Sequence, residues 1–252
     1  MLLEEHLSAG AQRFARPVGA YGGRPTHPAR PPRDGSQPAR APAYTARALR
    51  PDDAAALDEA YRLRQAVFAR ELSWVVGGRN GRERDRCDAT ARHFAVYART
   101  SSIRQRAPLV AYARVLVAGD SFMLQREFAA LLTGYPFAPD HRRAFEVSRF
   151  VVHPDYRGHL GLDRRSAVEH LGRAIAGWAC AAGRTEWLSV CELRHVRALR
   201  LRGLPFTRFG RVVEYQPGVP VCATRLDLAQ ATTRLRERRP VDYTWYAEEA
   251  SL

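Results

Sequence analysis

The 252-residue chain predicts an α/β fold: a three-layer α/β/α sandwich with a mixed central sheet. Three observations carry this expectation. The apolar segments follow the order helix, antiparallel strands, helix, strand–helix, strand–helix, hairpin, which puts helices on both faces of a sheet. The run Phe145 to Val152 leads through a glycine-bearing turn into a helix and then a further strand, the pattern of a parallel pair with a crossover helix. Hydrophobic residues make up 46% of the sequence, enough for an ordinary core.

Residues 1–43 are rich in Pro, Gly, Ala and Arg, with six arginines against three acids. Such a segment buries too little apolar surface to offset its ordering entropy, so a disordered extension is expected. A single domain is expected over residues 44–230, with a tail over 231–252. Order begins near Tyr44. Arg50-Pro51-Asp52-Asp53 reads as a helix start. Leu57, Tyr61, Phe68 and Leu72 follow at helical spacing, with Arg64 on the same stripe. Gly77-Gly78-Arg79-Asn80-Gly81 is a loop, and Glu83-Arg84-Asp85-Arg86-Cys87-Asp88 reads on its own as a solvated charged run.

His93–Arg99 and Leu109–Ala118 alternate as a hairpin across Gln105-Arg106-Ala107-Pro108, with Arg114 placed mid-strand. Phe122–Leu124 and Phe128–Leu132 predict a helix packed on this sheet. After the strand at 145–152, the turn His153 to Gly161 enters a helix over Ser166–Ala182, a potential phosphate cradle. Glu186–Cys191 is a strand, and Leu193–Arg202 a helix closed by Gly203. Phe209–Tyr215 and Val221–Leu228 form a last hairpin across Pro217-Gly218.

The formal net charge is +14, carried wholly by arginine since the sequence has no lysine. A positive balance implies an acidic partner. Cys87, Cys180, Cys191 and Cys222 lack zinc-ligand spacing, so neither a metal site nor a disulfide framework is expected. No apolar run reaches the roughly 20 residues of a membrane span, and no secretory signal is evident. The expected localisation is cytoplasmic.

The strand at 145–152 carries Glu146, Ser148 and Arg149 among aromatic and β-branched residues. Unpaired buried charge is costly, so these charges are either a structural ion pair or part of a site. In a regular strand Glu146 and Ser148 face one side and Arg149 the other; only a bend or bulge brings them together.

The charged residues fall into an ordered set: Arg64-x-x-x-Phe68-x-x-x-x-x-Trp74, then Glu83-x-Asp85-x-x-Asp88, Arg114, Phe128, and Glu146-x-Ser148-Arg149-Phe150. This set resembles the acyl-homoserine-lactone autoinducer synthases over roughly residues 44–230. The resemblance implies a fold like that of the GCN5-related N-acetyltransferases. It also implies transfer of an acyl chain from a thioester, on acyl carrier protein or coenzyme A, to S-adenosylmethionine, with lactone closure and release of methylthioadenosine for quorum sensing. Both molecules are substrates, so no separate cofactor is expected. Glu146 and Ser148 would be catalytic. An α-amine with a pKa of roughly 7.7–8.0 must lose a proton before attack, and Glu146 is placed to take it. Arg64, Phe68, Trp74, Asp85, Asp88, Arg114 and Arg149 would bind S-adenosylmethionine and shape its surroundings. Leu188 and Val190 are expected in the acyl tunnel. Tyr156-Arg157-Gly158 resembles the acyl-coenzyme A loop of N-acetyltransferases, with Leu160 where a glycine is expected. Two alternatives stay open: an N-acyl amino acid synthase of the same fold, and a basic nucleic-acid-binding protein.

Overall fold

The computed structural model describes residues 42–99, 107–117, 122–163, 165–201 and 204–232. The expected extension at 1–43 and tail at 231–252 lie almost wholly outside the described residues, as do Gln105, Arg106 and Gly203. Among the described residues there are seven strands: β1 (Ala43–Leu49), β2 (Arg92–Arg99), β3 (Leu109–Leu116), β4 (Ala144–Val152), β5 (Glu186–Glu192), β6 (Thr207–Gln216) and β7 (Val219–Asp227). Their order is β1-β2-β3-β4-β5-β7-β6, and parallel and antiparallel pairs both occur.

The chain forms two compact units. The first comprises the described residues of Arg33–Leu116 together with Val147–Ala182. In it β1, β2 and β3 pair antiparallel in sequence order. Successive side chains of a strand point to opposite faces, and β2 shows the result. Ala95 and Tyr97 join a core with Ala56, Ala60, Leu63 and Val67 of the first helical segment. Phe94 instead meets Trp178 of helix α3 (Ala167–Ala181), with ring centroids 5.8 Å apart. Helices therefore cover both faces of this sheet.

Strand β1 differs from the expectation, which began with a helix at Arg50. Its alternation is weak, with exposed Thr45, Arg47 and Ala48, and the signal of an edge strand lies in its partner rather than in itself. Helix α1 (Ala54–Arg64) starts later than predicted: Asp53 is the N-cap, its Oδ1 accepting the Ala56 N–H at 3.2 Å. From Gln65 to Glu71 the helix widens into a π turn, with Leu72 N–H donating to the Val67 carbonyl at 2.9 Å. Helix α3 agrees with its prediction and opens on a capping box in which Ser166 and Glu169 satisfy each other's backbone N–H groups.

The second unit comprises the described residues of Val117–Glu146 and Gly183–Trp245. Ala144, Phe145 and Glu146 of β4 run parallel to Glu186, Trp187 and Leu188 of β5. Strands β5, β7 and β6 are antiparallel. The helix predicted across 122–132 is two short pieces, α2 (Met123–Arg126) and a 3₁₀ turn (Ala129–Leu132). Gly210 lies where β6 slips register against β7. Its φ is +65°, and a Cβ there would sit 2.2 Å from the Leu131 carbonyl oxygen, so only glycine fits. Helix α4 (Leu193–Leu201) follows β5 directly.

Candidate active site

In the first unit three guanidinium groups and three carboxylates close into a ring of alternating charge. Arg64 Nε donates to Glu83 Oε2 at 2.6 Å, and Glu83 Oε1 accepts from Arg149 Nη2 at 3.0 Å. Arg149 Nη2 also reaches Asp85 Oδ2 at 2.9 Å, and Asp85 Oδ1 accepts from Arg114 Nη1 at 2.5 Å. Arg114 Nη1 then donates to Asp88 Oδ1 at 2.9 Å, and Arg64 Nη1 donates to the same oxygen at 2.6 Å. The side chains of Arg64, Arg114 and Asp88 are wholly buried, whereas Arg149 and Asp85 keep 14% and 26% of their surface. The ring is thus sealed on one side and open at the Asp85–Arg149 edge.

Local sequence places each member. Arg64 ends α1 on its buried stripe. The run Glu83–Asp88 is not a solvated loop. Glu83 is anchored by its N–H to the Tyr61 carbonyl at 3.1 Å. Asp85 caps a 3₁₀ turn (Arg86–Ala89) by accepting the Cys87 N–H, and Asp88 returns a bond from the Asp85 N–H, each at 2.8 Å. These bonds within the turn orient both aspartates, and the same oxygens also serve the arginines: Asp85 Oδ1 accepts from Arg114 as well as from the Cys87 N–H, and Asp88 Oδ2 from Arg64 as well as from the Asp85 N–H.

Arg149 resolves the question posed by strand alternation. Its φ is +53°, a left-handed conformation that non-glycine residues rarely adopt. The pleat is broken there, so adjacent residues reach the same network: Ser148 Oγ accepts from Arg114 Nε at 3.0 Å, and Arg149 chelates Glu83. Backbone strain of this kind persists only where surrounding contacts enforce it, and here the ion pairs do.

Two buried polar residues back the ring. His93 Nε2 lies 3.2 Å from the Asp88 carbonyl oxygen, which can only accept, so this nitrogen carries the proton. Nδ1 then accepts from the Tyr112 hydroxyl at 2.7 Å, and that hydroxyl accepts from Arg64 Nη1 at 3.4 Å. Burial holds the His93 imidazole below its usual range, in keeping with a neutral ring, and pushes the Tyr112 phenol up. Glu83, Tyr112 and His93 were not among the residues assigned a role from sequence. Glu83 was visible in the Glu83-x-Asp85-x-x-Asp88 pattern, but a histidine and a tyrosine on β-strands carry no such mark.

At the open edge the π turn and the residues after it supply two aromatic rings. Phe68 stacks on Trp74 with centroids 6.2 Å apart and planes 29° from parallel. Trp74 N–H bonds back to the Phe68 carbonyl at 2.8 Å, with Ser73 at φ +53° turning the chain between them. The Arg149 guanidinium lies 5.7 Å from the Phe68 ring centroid. Gln65 fastens the following loop, its Oε1 accepting the Gly78 N–H at 2.8 Å. A Cβ on Gly78 would overlap the Arg82 carbonyl oxygen at 1.6 Å.

The structure therefore brings Arg64, Asp85, Asp88, Arg114, Ser148 and Arg149 into one network, with Phe68 beside Arg149 and Trp74 stacked on Phe68. In the second unit, Glu146 is buried, and its Oε2 accepts the Leu124 N–H at 3.4 Å. It is in register with fully buried Leu188 of β5 and so shares a face with it. Ser189 lies on the opposite face, paired to Thr224 Oγ1 at 2.9 Å.

Burial raises the carboxyl pKa of Asp85, but the hydrogen bond and charge of Arg114, with Arg149 and Arg64, outweigh it and leave the group at about 2. Glu83 and Asp88 are likewise held below the usual carboxylate range: burial opposes ionisation, and the arginines beside them prevail. All three carboxylates stay ionised at neutral pH.

The autoinducer synthase family model matches residues 49–234. An acyl-homoserine-lactone synthase of Rhizobium radiobacter is 33% identical over 159 residues, covering 62% of this chain and 72% of that protein. One from Agrobacterium fabrum is 31% identical over 160 residues, 61% of this chain and 71% of the relative. Among solved structures, the acyl-homoserine-lactone synthase LasI superposes with a TM-score of 0.60 at 23% identity, over 74% of this chain and 90% of its own. BjaI, a coenzyme A-dependent acyl-homoserine lactone synthase held with SAM and isopentyl-CoA, gives 0.60 at 21% identity, over 77% and 89%. At these identities the structures speak for the fold.

Two expectations follow from the ring. Arg64→Met leaves buried carboxylate charge without its partner and should cost about 3–5 kcal/mol in denaturant unfolding; a loss below about 1 kcal/mol, the range of surface pairs, would deny the ring its structural weight. The second concerns pH. The folded pKa of Asp85, about 2, lies below an ordinary value of about 3.9. Its stabilisation is therefore complete above about pH 4 and lost as pH falls toward 2. Asp85→Asn should melt below the wild type at neutral pH, the two melting temperatures converging as pH falls through that window. Parallel curves would show that Asp85 is not held by charge.

Proposed function

Because the chain belongs to the autoinducer synthase family and is an acyl-homoserine-lactone synthase, we propose that it acylates the amine of S-adenosylmethionine from an acyl thioester and closes the lactone with release of methylthioadenosine. The observation that carries this reading is the open edge of the ion-pair ring, where ionised Asp85, Arg149 and the stacked Phe68–Trp74 pair lie together. A sulfonium bearing an amine, a carboxylate and an adenosyl group matches that set. Arg149 suits the carboxylate, Asp85 the cationic groups, and an aromatic face attracts both a sulfonium and an adenine.

In the first step the amine nitrogen bonds to the thioester carbon and the carbon–sulfur bond breaks, the thiol leaving. The amine must shed a proton to do this, and the Glu146 carboxylate accepts it directly or through one water. Ser148 holds Arg114 by its hydroxyl and so acts in this proposal on the network rather than on the reacting atoms. In the second step the carboxylate oxygen attacks the carbon attached to the sulfonium, and neutral methylthioadenosine departs. A sulfonium leaves readily, so holding the reacting atoms close is most of what this step requires.

The test is methylthioadenosine release. It should require both S-adenosylmethionine and an acyl thioester. Thiol release without methylthioadenosine would instead mark an N-acyl amino acid synthase. Glu146→Gln should lower turnover by about 10²–10⁴ while S-adenosylmethionine binding, read by calorimetry, is kept. Normal turnover in a folded variant would remove Glu146 from the proton transfer.

A further inference from the structure

The alternation of β2 and β3 places a second polar set behind the charged ring. His93 stands opposite Arg114 in the register of the two strands. Tyr112 lies two residues before Arg114 on β3 and so shares its face. Both side chains are buried, as are Arg64 and Asp88. A buried polar atom left without a partner is costly, and here the hydrogen bonds run in one direction from donor to acceptor. Arg64 Nη1 donates to the Tyr112 hydroxyl at 3.4 Å, the longest link of the set. That hydroxyl donates to His93 Nδ1 at 2.7 Å, and His93 Nε2 donates to the Asp88 carbonyl at 3.2 Å. Arg64 Nη1 also donates to Asp88 Oδ1 at 2.6 Å, so the path starts and ends on Asp88. The two rings are fixed in place as well. His93 stacks on Tyr112 with centroids 5.9 Å apart and planes 29° from parallel, and Tyr61 meets the imidazole edge-on at 6.3 Å.

We infer that His93 and Tyr112 are positioning residues for the cationic substrate, acting through the turn at 85–89 rather than on the reacting atoms. The arginines grip only the side chain of Asp88, whereas His93 grips its peptide. Asp88 Oδ2 in turn accepts the Asp85 N–H at 2.8 Å. Holding Asp88 at both ends therefore fixes the turn from behind, and with it the direction in which Asp85 faces the open edge. A bond chain of this kind polarises along its length, so losing one member weakens the others. The inference rests on the acyl-transfer reading, in which Asp85 meets the cationic groups of S-adenosylmethionine. Neither buried ring reaches the open edge, so the effect falls on substrate binding and not on the bond-making steps.

The experiment uses the full chain and three variants. Tyr112→Phe keeps the ring and removes the hydroxyl. His93→Leu removes both ring nitrogens. His93→Gln keeps one N–H donor and one acceptor on a side chain without a ring. S-adenosylmethionine binding is measured by calorimetry, and turnover as methylthioadenosine release with the octanoyl thioester of pantetheine. Amide hydrogen exchange at Asp85 and Cys87 reports the turn without any ligand. Tyr112→Phe and His93→Leu should bind S-adenosylmethionine about three- to tenfold more weakly, the scale of one hydrogen bond. Its KM should rise in step, with kcat at saturation kept within about twofold, and both amides should exchange faster. His93→Gln should restore binding and protection. An unchanged Kd in folded but less stable variants overturns the inference, because the pair would then serve stability alone. Equal losses in His93→Gln and His93→Leu overturn it too, since the bulk of the ring rather than its hydrogen bonds would matter. Faster exchange at both amides in a protein whose wild type binds no S-adenosylmethionine leaves the pinning of the turn standing and overturns the acyl-transfer reading instead.

Discussion

The closed ring Arg64–Glu83–Arg149–Asp85–Arg114–Asp88 is the constraint on which the first unit is built. Six charges withdrawn from water carry a desolvation cost of several kcal/mol each, offset only when every one is paired with good geometry. Each member here touches two of opposite sign, and the formal sum is zero. The ring ties together the end of α1, the capped turn at 85–89, β3 and β4, elements far apart in sequence. None of these can shift without leaving a charge unpaired in the interior, so the network sets their relative positions more sharply than apolar packing, which tolerates sliding.

A neutral ring also explains how a strongly basic chain can offer a balanced site. Its sealed side is occupied in holding itself together, with Tyr112 and neutral His93 taking up the remaining hydrogen-bonding capacity. Its open side presents one carboxylate and one guanidinium beside two stacked rings. In the proposed reaction that asymmetry separates architecture from recognition: Arg64, Arg114 and Asp88 make the edge rigid, and Asp85, Arg149, Phe68 and Trp74 meet the substrate. The strained φ of Arg149 belongs to this arrangement, since a regular pleat would send its side chain away from Glu83 and Asp85.

Much of this was present in the sequence. Periodicity located β2 to β7 and α3 closely, because their residues alternate or repeat on a buried face. The charged residues at 64, 85, 88, 114, 146 and 149, too costly for a plain core, together with the aromatics at 68 and 74, pointed to one family. Capping chemistry is local, so the reciprocal bonds of Ser166 and Glu169 were within reach as well. What sequence could not supply was pairing across distance. Edge strand β1 is stabilised by β2 and has little pattern of its own. The charged run at 83–88 looks solvated until three arginines from other elements converge on it. Alternation along β4 placed Ser148 and Arg149 on opposite faces, and only the assembled ring, whose ion pairs outweigh the strain of one left-handed residue, puts them on the same one.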